Sequence, residues 1–581
     1  MLDLVIKNLK GLVNNMQQNN NENAANRISY VGHNYDIGEK EYKKEVLDSL
    51  PEKWRLLHND GYIHIHDLDA YGLTYNCLAL DLVDSLPYAE FDGLDDTGKI
   101  MHLFHYIQNL FIKVGNEQSG GMAFANFDNE ISDMLTKLNV KESKANFNII
   151  SSSIRELIIW CNGDHTRMGQ TSYYITLNIG LAKNNFARKI AEILLEQFNN
   201  LGDLVFKPNI VFKVCNKINL NPGDPNYDLY IKSLKITAKK MIPTYILCDS
   251  DTNKENNPAD LAIMGCRSRV VADIYGHTGA IGRGNIANIS INLPKIALEI
   301  DKEHSDYDKD KKIEMFYGKW DDIASIVKDI LLDRYHKLCS LKKEMFPTNL
   351  EVKLWCESFN TDNLEDVFKH GTLSIGFIGL SEAIEILTGE KYYNDMDNYI
   401  RALGLVKHMK DYCDFLRNNY NLNFSLLATA GELISGRFID IDKKLYTPSV
   451  DIFKKGYYTN SFHVDVDSKL PGITKIKLEG LFHKLCNGGC ITYVELGEAP
   501  LDNAEGLDEY IKIAIKNSIH YLGFNFPKDV CNNCGTSGVF DECPKCHSKE
   551  ITRIRRVSGY LEILDGFTKG KKAEEKNRRK N

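Results

Sequence analysis

The sequence has 581 residues, 43% of them hydrophobic and 26% charged, a balance that is typical of a globular chain and excludes a largely disordered or fibrous one. A formal net charge of -8 argues against a protein built around a nucleic-acid backbone, which needs an excess of Lys and Arg. No apolar run reaches the roughly 18 residues of a membrane span and no signal peptide is present, so we expect a cytoplasmic protein without a membrane partner.

Changes of composition along the chain predict four parts. Apolar residues recur at helical spacing from Leu2 to Met16 and give way to an Asn-rich polar run, which predicts an amphipathic helix followed by a linker. One large domain follows, then a small module with four closely spaced cysteines, then a loop with a basic tail. The predicted boundaries are 1–40, 41–527, 528–550 and 551–581.

Helix and strand patterns alternate within the large domain. A helical face spans residues 186–198 and ends at Gly202, and a β-branched strand spans 208–214. A second helical face spans residues 323–331 and follows acidic residues at 321–322, where a helix dipole favours negative charge. Such alternation predicts an α/β fold.

Four cysteines near the C-terminus form two CxxC pairs separated by a short loop. Cys531 and Cys534 make the first pair, and Cys543 and Cys546 make the second. Four thiolates on two tight turns suit a tetrahedral Zn²⁺ ion, so we predict a structural zinc ribbon. The alternatives are two disulfides or a redox pair, and a ribbon alone fits either a structural clip or a nucleic-acid contact.

Gly559 lies in the segment RRVSGYLEILDG, shortly after the ribbon. One interpretation is a surface turn, because Ser-Gly is a common turn dipeptide. The other is a radical store, because a Cα-centred radical flattens the carbon and only glycine does so without a Cβ clash.

A stored radical needs a nearby thiol, so cysteines outside the ribbon matter. Cys266 lies in the Gly-flanked segment AIMGCRSRV, and Cys77 lies in the alternating segment LTYNCLALDL. A lone cysteine is usually a small core residue. That interpretation is kept for Cys161, Cys215, Cys248, Cys339, Cys356, Cys413, Cys486 and Cys490.

The combination resembles the anaerobic, class III ribonucleotide reductases, which are glycyl radical enzymes. The resemblance covers most of the chain, from residue 64 to residue 561. Its motifs, in chain order, are HIHDLD, YNCLALDL, GGMAFANFD, MGCRS, GRGNIANISINLPKIAL, GTLSIGFIGLSEA, GYYTNSFHV, NGGCITYVEL, the cysteine pairs and RVSGYL.

The resemblance implies a ten-stranded α/β barrel and a radical relay inside it. Gly559 would store the radical, Cys266 would become the thiyl that removes the 3′ hydrogen of a ribonucleotide, and Cys77 would donate a hydrogen atom. Asn285 and Met264 match the subgroup that takes electrons from formate. Asn285 would anchor formate, and Met264 would place its sulfur beside Cys266. Taken without the resemblance, Met264 indicates ordinary core filling and Asn285 a turn between glycine-rich steps.

The resemblance also implies partners and a nucleotide pocket. We expect a homodimer, a radical-SAM iron-sulfur activating enzyme, ribonucleoside triphosphate substrates and dNTP or ATP effectors, but no ATP-cone within residues 1–40. No phosphate-binding loop motif is present, so the stretch 426–438 is our candidate for the triphosphate. The predicted substrate-binding residues are His64, His66, Thr429 and Ser435.

Two other functions remain as alternatives. Another glycyl radical enzyme of the formate-lyase or dehydratase type would show two adjacent cysteines or Cys-x-Glu, and MGCRSR has neither. A zinc-ribbon protein that binds nucleic acid through its basic tail would leave the large acidic domain without a role. We therefore expect no direct nucleic-acid binding.

Overall fold

The computed structural model describes residues 30–163, 174–270, 273–556 and 558–579. The amphipathic helix predicted between Leu2 and Met16 lies outside the described residues. The first described helix covers Tyr30–Ser49 and runs across residue 40, where the sequence predicts a boundary. Within the described ranges, no helix has both the length and the apolar character needed to cross a bilayer.

In the described part of the chain, fifteen strands form a large sheet and a small one. The large sheet contains β1 (Ile63–Ile65), β2 (Cys77–Ala79), β3 (Met122–Phe124), β4 (Ile175–Ile179), β5 (Asn209–Val214), β6 (Thr244–Leu247), β7 (Arg283–Asn292), β8 (Thr372–Ile378), β9 (Asn423–Ala428), β10 (Thr492–Glu495) and β11 (Tyr521–Asn525). The small sheet contains β12 (Lys528–Cys531), β13 (Ser537–Gly538), β14 (Ile551–Arg556) and β15 (Leu561–Ile563).

The large sheet consists of two parallel halves that run in opposite directions. Strands β2 to β6 are parallel neighbours in one half. Strands β7 to β9 and the pair β10–β11 are parallel in the other half. The halves meet at the antiparallel pairs β2–β7 and β6–β11. Strand β1 pairs with β7 outside this order.

The strand order of the large sheet runs from β10 through β11, β6, β5, β4, β3, β2, β7 and β8 to β9. Its two end strands, β9 and β10, are joined by a short seam. Leu427 forms a parallel bridge with Gly489. The Ala428 amide donates to the Gly489 carbonyl at 3.0 Å, and the Gly488 amide donates to the Leu426 carbonyl at 2.8 Å. These bonds close the order into a ten-stranded α/β barrel, so the predicted fold class is confirmed.

Helices cover the outside of the barrel, because each parallel strand pair needs a crossover and the strands are buried on both faces. They are α1 (Tyr30–Ser49), α2 (Glu52–Asn59), α3 (Asp96–Gly115), α4 (Phe127–Lys137), α5 (Lys144–Cys161), α6 (Asn185–Asn200), α7 (Tyr227–Lys240), α8 (Leu293–Glu303), α9 (Lys309–Cys339), α10 (Pro347–Glu351), α11 (Glu365–Phe368), α12 (Leu380–Thr388), α13 (Met396–Tyr420), α14 (Ile434–Asp442), α15 (Gly472–Leu485), α16 (Ala504–Lys516) and α17 (Lys569–Asn577).

The predicted helix over residues 186–198 and the predicted strand over 208–214 correspond to α6 and β5. The helix predicted over 323–331 is part of the much longer α9, so its predicted acidic start was wrong. The α9 N-cap is Asp308, whose side chain accepts from the Lys311 amide. Buried residues upstream of 321 extend the apolar face and carry the helix past that position.

The small sheet joins the two predicted C-terminal modules. Its antiparallel order is β13–β12–β14–β15. Strand β12 ends at Cys531, the first cysteine of the ribbon, and the connection between β14 and β15 carries Gly559. The cysteine cluster and the glycine loop are therefore parts of one sheet.

Candidate active site

Cys266 lies at the tip of a finger-like loop, residues 264–268. This loop belongs to the connection from β6 to β7 in the sequence and enters the barrel. Met264 and Ser268 exchange backbone hydrogen bonds of 3.0 and 3.2 Å across the base of this finger. Gly265 has a φ of +58°, a left-handed conformation that glycine adopts without strain. The glycine before Cys266 thus permits the tight turn that presents the thiol.

The barrel wall holds the finger by hydrogen bonds to the residues that flank it on both sides. The Asn178 amide donates to the Ile263 carbonyl at 3.1 Å, and the Ile263 amide donates to Asn178 Oδ1 at 3.0 Å. The Arg269 amide donates to the Gly488 carbonyl at 3.1 Å, next to the seam. These contacts fix the finger relative to both halves of the barrel.

Gly559 packs directly on the backbone of Cys266. A Cβ placed on Gly559 would overlap the Cys266 carbonyl group and lie 2.5 Å from its Cα. No other residue type fits this approach. The structure therefore brings Gly559 and Cys266, which are predicted as radical partners, into contact.

Glu432 and Arg556 hold the glycine loop against the barrel. The Glu432 carboxylate accepts from Ser558 Oγ at 2.5 Å and from the Tyr560 hydroxyl at 2.6 Å. The buried Arg556 donates to the Gly559 carbonyl at 3.2 Å and to the Met241 carbonyl at 2.5 Å. The residues on both sides of Gly559 and its own carbonyl are thereby fixed.

Cys77 lies in the same cavity as Cys266. Its thiol donates to Asn76 Oδ1 at 2.8 Å and accepts from the Gly121 amide at 3.3 Å. Burial raises the pKa of the Cys77 thiol to about 12 and also raises the pKa of the Cys266 thiol. Both thiols are therefore protonated at neutral pH, which is the form that gives or loses a hydrogen atom.

The cavity between the thiols has polar walls. Its lining includes Cys77, Cys266, His66, Asp67, Asn76, Arg267, Ser268, Asn288, Thr429, Glu432, Tyr174 and Tyr560. His66 Nε2 lies 2.7 Å from Ser290 Oγ, which lies 2.8 Å from Thr429 Oγ1. The two ends of this chain of hydroxyl and imidazole groups, His66 and Thr429, give one side of the cavity a polar surface.

Two of the four predicted substrate-binding residues line the cavity, namely His66 and Thr429. His64 is stacked edge-on against His66, with ring centroids 4.8 Å apart, and is not part of the lining. Ser435 is buried in the first turn of α14, and its Oγ has no hydrogen-bond partner among the described residues.

Asn285 and Met264 lie behind the cysteines and outside the cavity lining. Asn285 is the partner of Cys77 in the β2–β7 ladder, and its amide nitrogen donates to Thr372 Oγ1 and to Ser374 Oγ, both at 3.0 Å. Its Oδ1 is buried and has no partner in the described part of the chain. Met264 is fully buried in a cluster of small residues that includes Cys77.

The free atom of Asn285 is therefore an acceptor in this arrangement. An acceptor suits the protonated acid form of a small carboxylic acid, whereas a carboxylate requires a donor. A rotated amide would present its nitrogen instead, because the oxygen and nitrogen of Asn are nearly isosteric.

The four ribbon cysteines converge as predicted. Their sulfur atoms all lie within 4.8 Å of one another. The pairs Cys531–Cys546 and Cys534–Cys543 have sulfur separations of 3.5 Å. A tetrahedral Zn²⁺ site with Zn–S bonds of about 2.3 Å needs separations of about 3.8 Å, so the donor set fits a zinc ion.

The sequence did not predict the hydrogen bonds by which Glu432 and Arg556 hold the glycine loop. Glu432 was noted only as part of the stretch 426–438, and Arg556 was not singled out. Glu432 lies more than a hundred residues from Ser558 in sequence. No local motif links the two, and only the barrel brings them together.

The relatives of this chain show that it is an oxidoreductase. A family model described as anaerobic ribonucleoside-triphosphate reductase matches residues 21–581. The anaerobic ribonucleoside-triphosphate reductase of Haemophilus influenzae is 29% identical, over 98% of this chain and 85% of its own length. The enzyme of the same description from Enterobacteria phage T4 is 27% identical, over 98% of both chains.

A solved structure shows the same fold. The anaerobic ribonucleotide reductase from Thermotoga maritima, in complex with dATP and CTP, superposes with a TM-score of 0.66 at 14% identity, over 94% of this chain and 90% of that chain. Because the family model spans nearly the full length, this chain belongs to the anaerobic ribonucleoside-triphosphate reductase family.

Proposed function

We propose that this chain reduces ribonucleoside triphosphates to 2′-deoxyribonucleoside triphosphates by a radical relay from Gly559 through Cys266 to the substrate. One observation carries the proposal. The backbone of Gly559 lies against that of Cys266, and the thiol of Cys266 shares a cavity with the thiol of Cys77. A stored radical thus has a short path to a thiol that faces a ligand-sized space.

Each residue has one step in this relay. The Gly559 radical takes the hydrogen atom of the Cys266 thiol, and the resulting thiyl takes the 3′ hydrogen of the ribose. The 2′ hydroxyl then leaves as water after gaining a proton, and Cys77 gives a hydrogen atom to the substrate radical. Formate would then give a hydrogen atom to the Cys77 thiyl and, together with a proton, one electron to the resulting 3′ ketone, which becomes the 3′ radical again. Cys266 finally returns the 3′ hydrogen. A nucleotide that fills the cavity would exclude water and other reactants from the thiyl.

Formate balances the reaction. One ribonucleoside triphosphate, one formate and one proton give one deoxyribonucleoside triphosphate, one carbon dioxide and one water. The two electrons come from formate, and Cys77 ends the cycle as a thiol. Asn285, the ladder partner of Cys77, would anchor formate through its amide nitrogen after the side-chain amide rotates.

The nucleotide would lie along the polar side of the cavity. The chain from His66 through Ser290 to Thr429 faces the ribose hydroxyls. The triphosphate would reach the first turn of α14, where backbone amides point outward and a helix dipole favours negative charge. Ser435 lies in that turn with a free buried hydroxyl group.

The remaining components are a structural zinc ion and protein partners. Cys531, Cys534, Cys543 and Cys546 would hold the zinc, which contributes folding free energy to the sheet that carries Gly559. A radical-SAM activating enzyme would generate the radical, since the sequence has no three-cysteine iron-sulfur motif. A homodimer and dNTP or ATP effectors complete the proposal. The dATP and CTP bound to the Thermotoga maritima enzyme support nucleotide ligands for this chain.

The test is electron paramagnetic resonance of the anaerobic protein after treatment with a radical-SAM activase. A glycyl radical has one remaining α-hydrogen, so the spectrum should be a doublet that collapses to a singlet in protein labelled with α-deuterated glycine. The same sample should form deoxyribonucleotides from ribonucleoside triphosphates only when formate is present.

Two outcomes would contradict the proposal. A doublet without deoxyribonucleotide formation would indicate another glycyl radical enzyme. Equal turnover without formate, when a dithiol protein is supplied as reductant, would contradict formate as the electron donor but not the radical relay.

A further inference from the structure

Three potential metal ligands from separate segments meet outside the cavity. They are His277, in the loop that follows the finger, Cys356, in the segment after α10, and His370, two residues before β8. Their ligating atoms all lie within 4.8 Å of one another. The rings of His277 and His370 lie 4.7 Å apart, nearly perpendicular.

His370 presents a buried nitrogen to this cluster. The residue is 2% exposed, and its Nε2 has no hydrogen-bond partner among the described residues. Its other nitrogen, Nδ1, lies 2.7 Å from Asp273 Oδ2. A carboxylate on Nδ1 keeps the proton there and leaves Nε2 as a lone-pair donor, which is the usual arrangement of a metal-binding histidine.

Asp273 also shapes the loop that carries His277. Its Oδ1 accepts from the Tyr275 amide at 2.9 Å and from the His277 amide at 3.0 Å. One carboxylate therefore orients the His370 ring and fixes the backbone of the second histidine. Arg283 lies 3.5 Å from the same carboxylate and offsets its charge.

The backbone of Cys356 is fixed with similar firmness. Its amide donates to the Gly282 carbonyl at 2.7 Å. Gly282 has a φ of +69°, and a Cβ there would lie 2.5 Å from the Cys356 amide nitrogen. The thiol is only partly buried, unlike that of a core cysteine. Cys356 was predicted to be a small core residue, and its position beside two histidines argues against that.

We propose that His277, Cys356 and His370 bind one zinc ion, separate from the ribbon. Two imidazole nitrogens and one thiolate are a donor set that Zn²⁺ binds tetrahedrally, with water as the fourth ligand. A tetrahedral site needs ligand separations of about 3.3 to 3.8 Å, so small side-chain rotations close the present arrangement. The half-exposed His277 leaves the ion a path from solvent.

The ion would connect the finger to the barrel. His277 lies between the finger and β7, Cys356 is bonded to the residue before β7, and His370 precedes β8. Thr372 on β8 accepts from Asn285, which pairs with Cys77. The site would therefore stabilise the segments that position both thiols, without contact with the cavity.

The test counts metal ions in the full-length protein. The reduced protein is stripped with a chelator under argon and reloaded with Co²⁺, which reports thiolate ligation by its charge-transfer absorption. We expect two Co²⁺ ions per chain in the wild type. Cys356→Ser and His277→Ala should each bind one, and the control Cys339→Ser, another partly buried cysteine, should bind two.

Further variants separate the two sites. A Cys531→Ser/Cys546→Ser double variant should lose the four-thiolate spectrum and keep one ion with weaker charge-transfer bands. Asp273→Asn should weaken the second site by about ten- to a hundredfold. The ribbon ion serves as the folding control for Cys356→Ser, and His277→Ala changes only a half-exposed loop.

A wild type that binds a single ion overturns the proposal. So does a second ion that survives in both Cys356→Ser and His277→Ala. Because metal content is measured without turnover, failure of this proposal is distinguishable from failure of the proposed reductase activity.

Discussion

Gly559 and Cys266 touch through their backbones, and a methyl group on Gly559 would overlap the Cys266 carbonyl. The side chain of Cys266 is therefore free to face the cavity while its backbone faces the glycine. This relationship determines how each residue responds to substitution.

Gly559→Ala should abolish the glycyl radical signal and also displace the loop, because the new Cβ has no space. Electron paramagnetic resonance should show no doublet, and limited proteolysis should cut faster near residue 559. The control is Gly566→Ala, since a Cβ at Gly566 meets no atom within 4 Å. A full-strength doublet in Gly559→Ala would show that the radical resides elsewhere.

The two cavity cysteines should fail at different steps. Cys266→Ser should abolish substrate consumption, because a hydroxyl O–H bond is too strong to exchange hydrogen with a glycyl radical. Cys77→Ser should allow substrate-dependent radical loss and base release without deoxynucleotide. Quenched-flow product analysis with parallel radical counting distinguishes the two. Equal partial activity in both variants would contradict this division of roles.

Cys77 should resist alkylation well above neutral pH. Its folded pKa is raised to about 12 from an ordinary value of 9, so the reactive thiolate is scarce until the pH approaches 12. Its contribution to stability is complete below pH 9 and is lost as the pH rises toward 12. Mass spectrometry after iodoacetamide treatment at pH 9 should find Cys77 unmodified in the native protein and modified in urea. Equal labelling in both states would contradict the burial.

Glu432→Ala should loosen the glycine loop, because the carboxylate accepts from both Ser558 and Tyr560. A hydrogen bond to a charged group contributes about 1.5 to 3 kcal/mol. Hydrogen exchange at residues 558–560 should accelerate, and the radical should decay sooner. In a double-mutant cycle, Tyr560→Phe should add little to Glu432→Ala. Full additivity would show that the two side chains act independently.

Loss of ribbon zinc should reach the glycine loop through the shared sheet. Cys531→Ser or Cys543→Ser should release one zinc per chain and reduce radical yield while nucleotide binding persists. His547→Ala is the matched control, because His547 adjoins Cys546 but is not part of the four-cysteine cluster. Normal radical yield in a zinc-free variant would show that the ribbon does not support the loop.

The sequence predicted the parts of the site that are written as local motifs. The CxxC spacing indicated the cysteine cluster, whereas only the resemblance of the whole motif set to a family, not the local surroundings, pointed to Gly559, Cys266 and Cys77. It did not predict Glu432 beside Ser558, because a contact between distant segments leaves no periodic pattern. The sequence did not predict the cluster of His277, Cys356 and His370 for the same reason, since each is an isolated residue in its own segment.

The start of helix α9 shows a different limit of prediction from sequence. Its sequence has acidic residues at positions 310, 321 and 322, and each site is compatible with a helix start. Asp308 is the cap because the apolar face extends upstream to Ile313 and Phe316, which are buried against the barrel. Burial of a long face outweighs the weak preference of a local charge.

The seam between β9 and β10 is in direct contact with the finger. A Cβ at Gly489 would overlap the Arg267 carbonyl, and the neighbouring Gly488 accepts from the Arg269 amide. Arg267 in turn donates to the Ala428 carbonyl at 3.3 Å. The residues that close the barrel are thus the residues that hold the finger in place. The finger therefore links β9 to β10, and a distortion that separates these two strands would also move the Cys266 thiol.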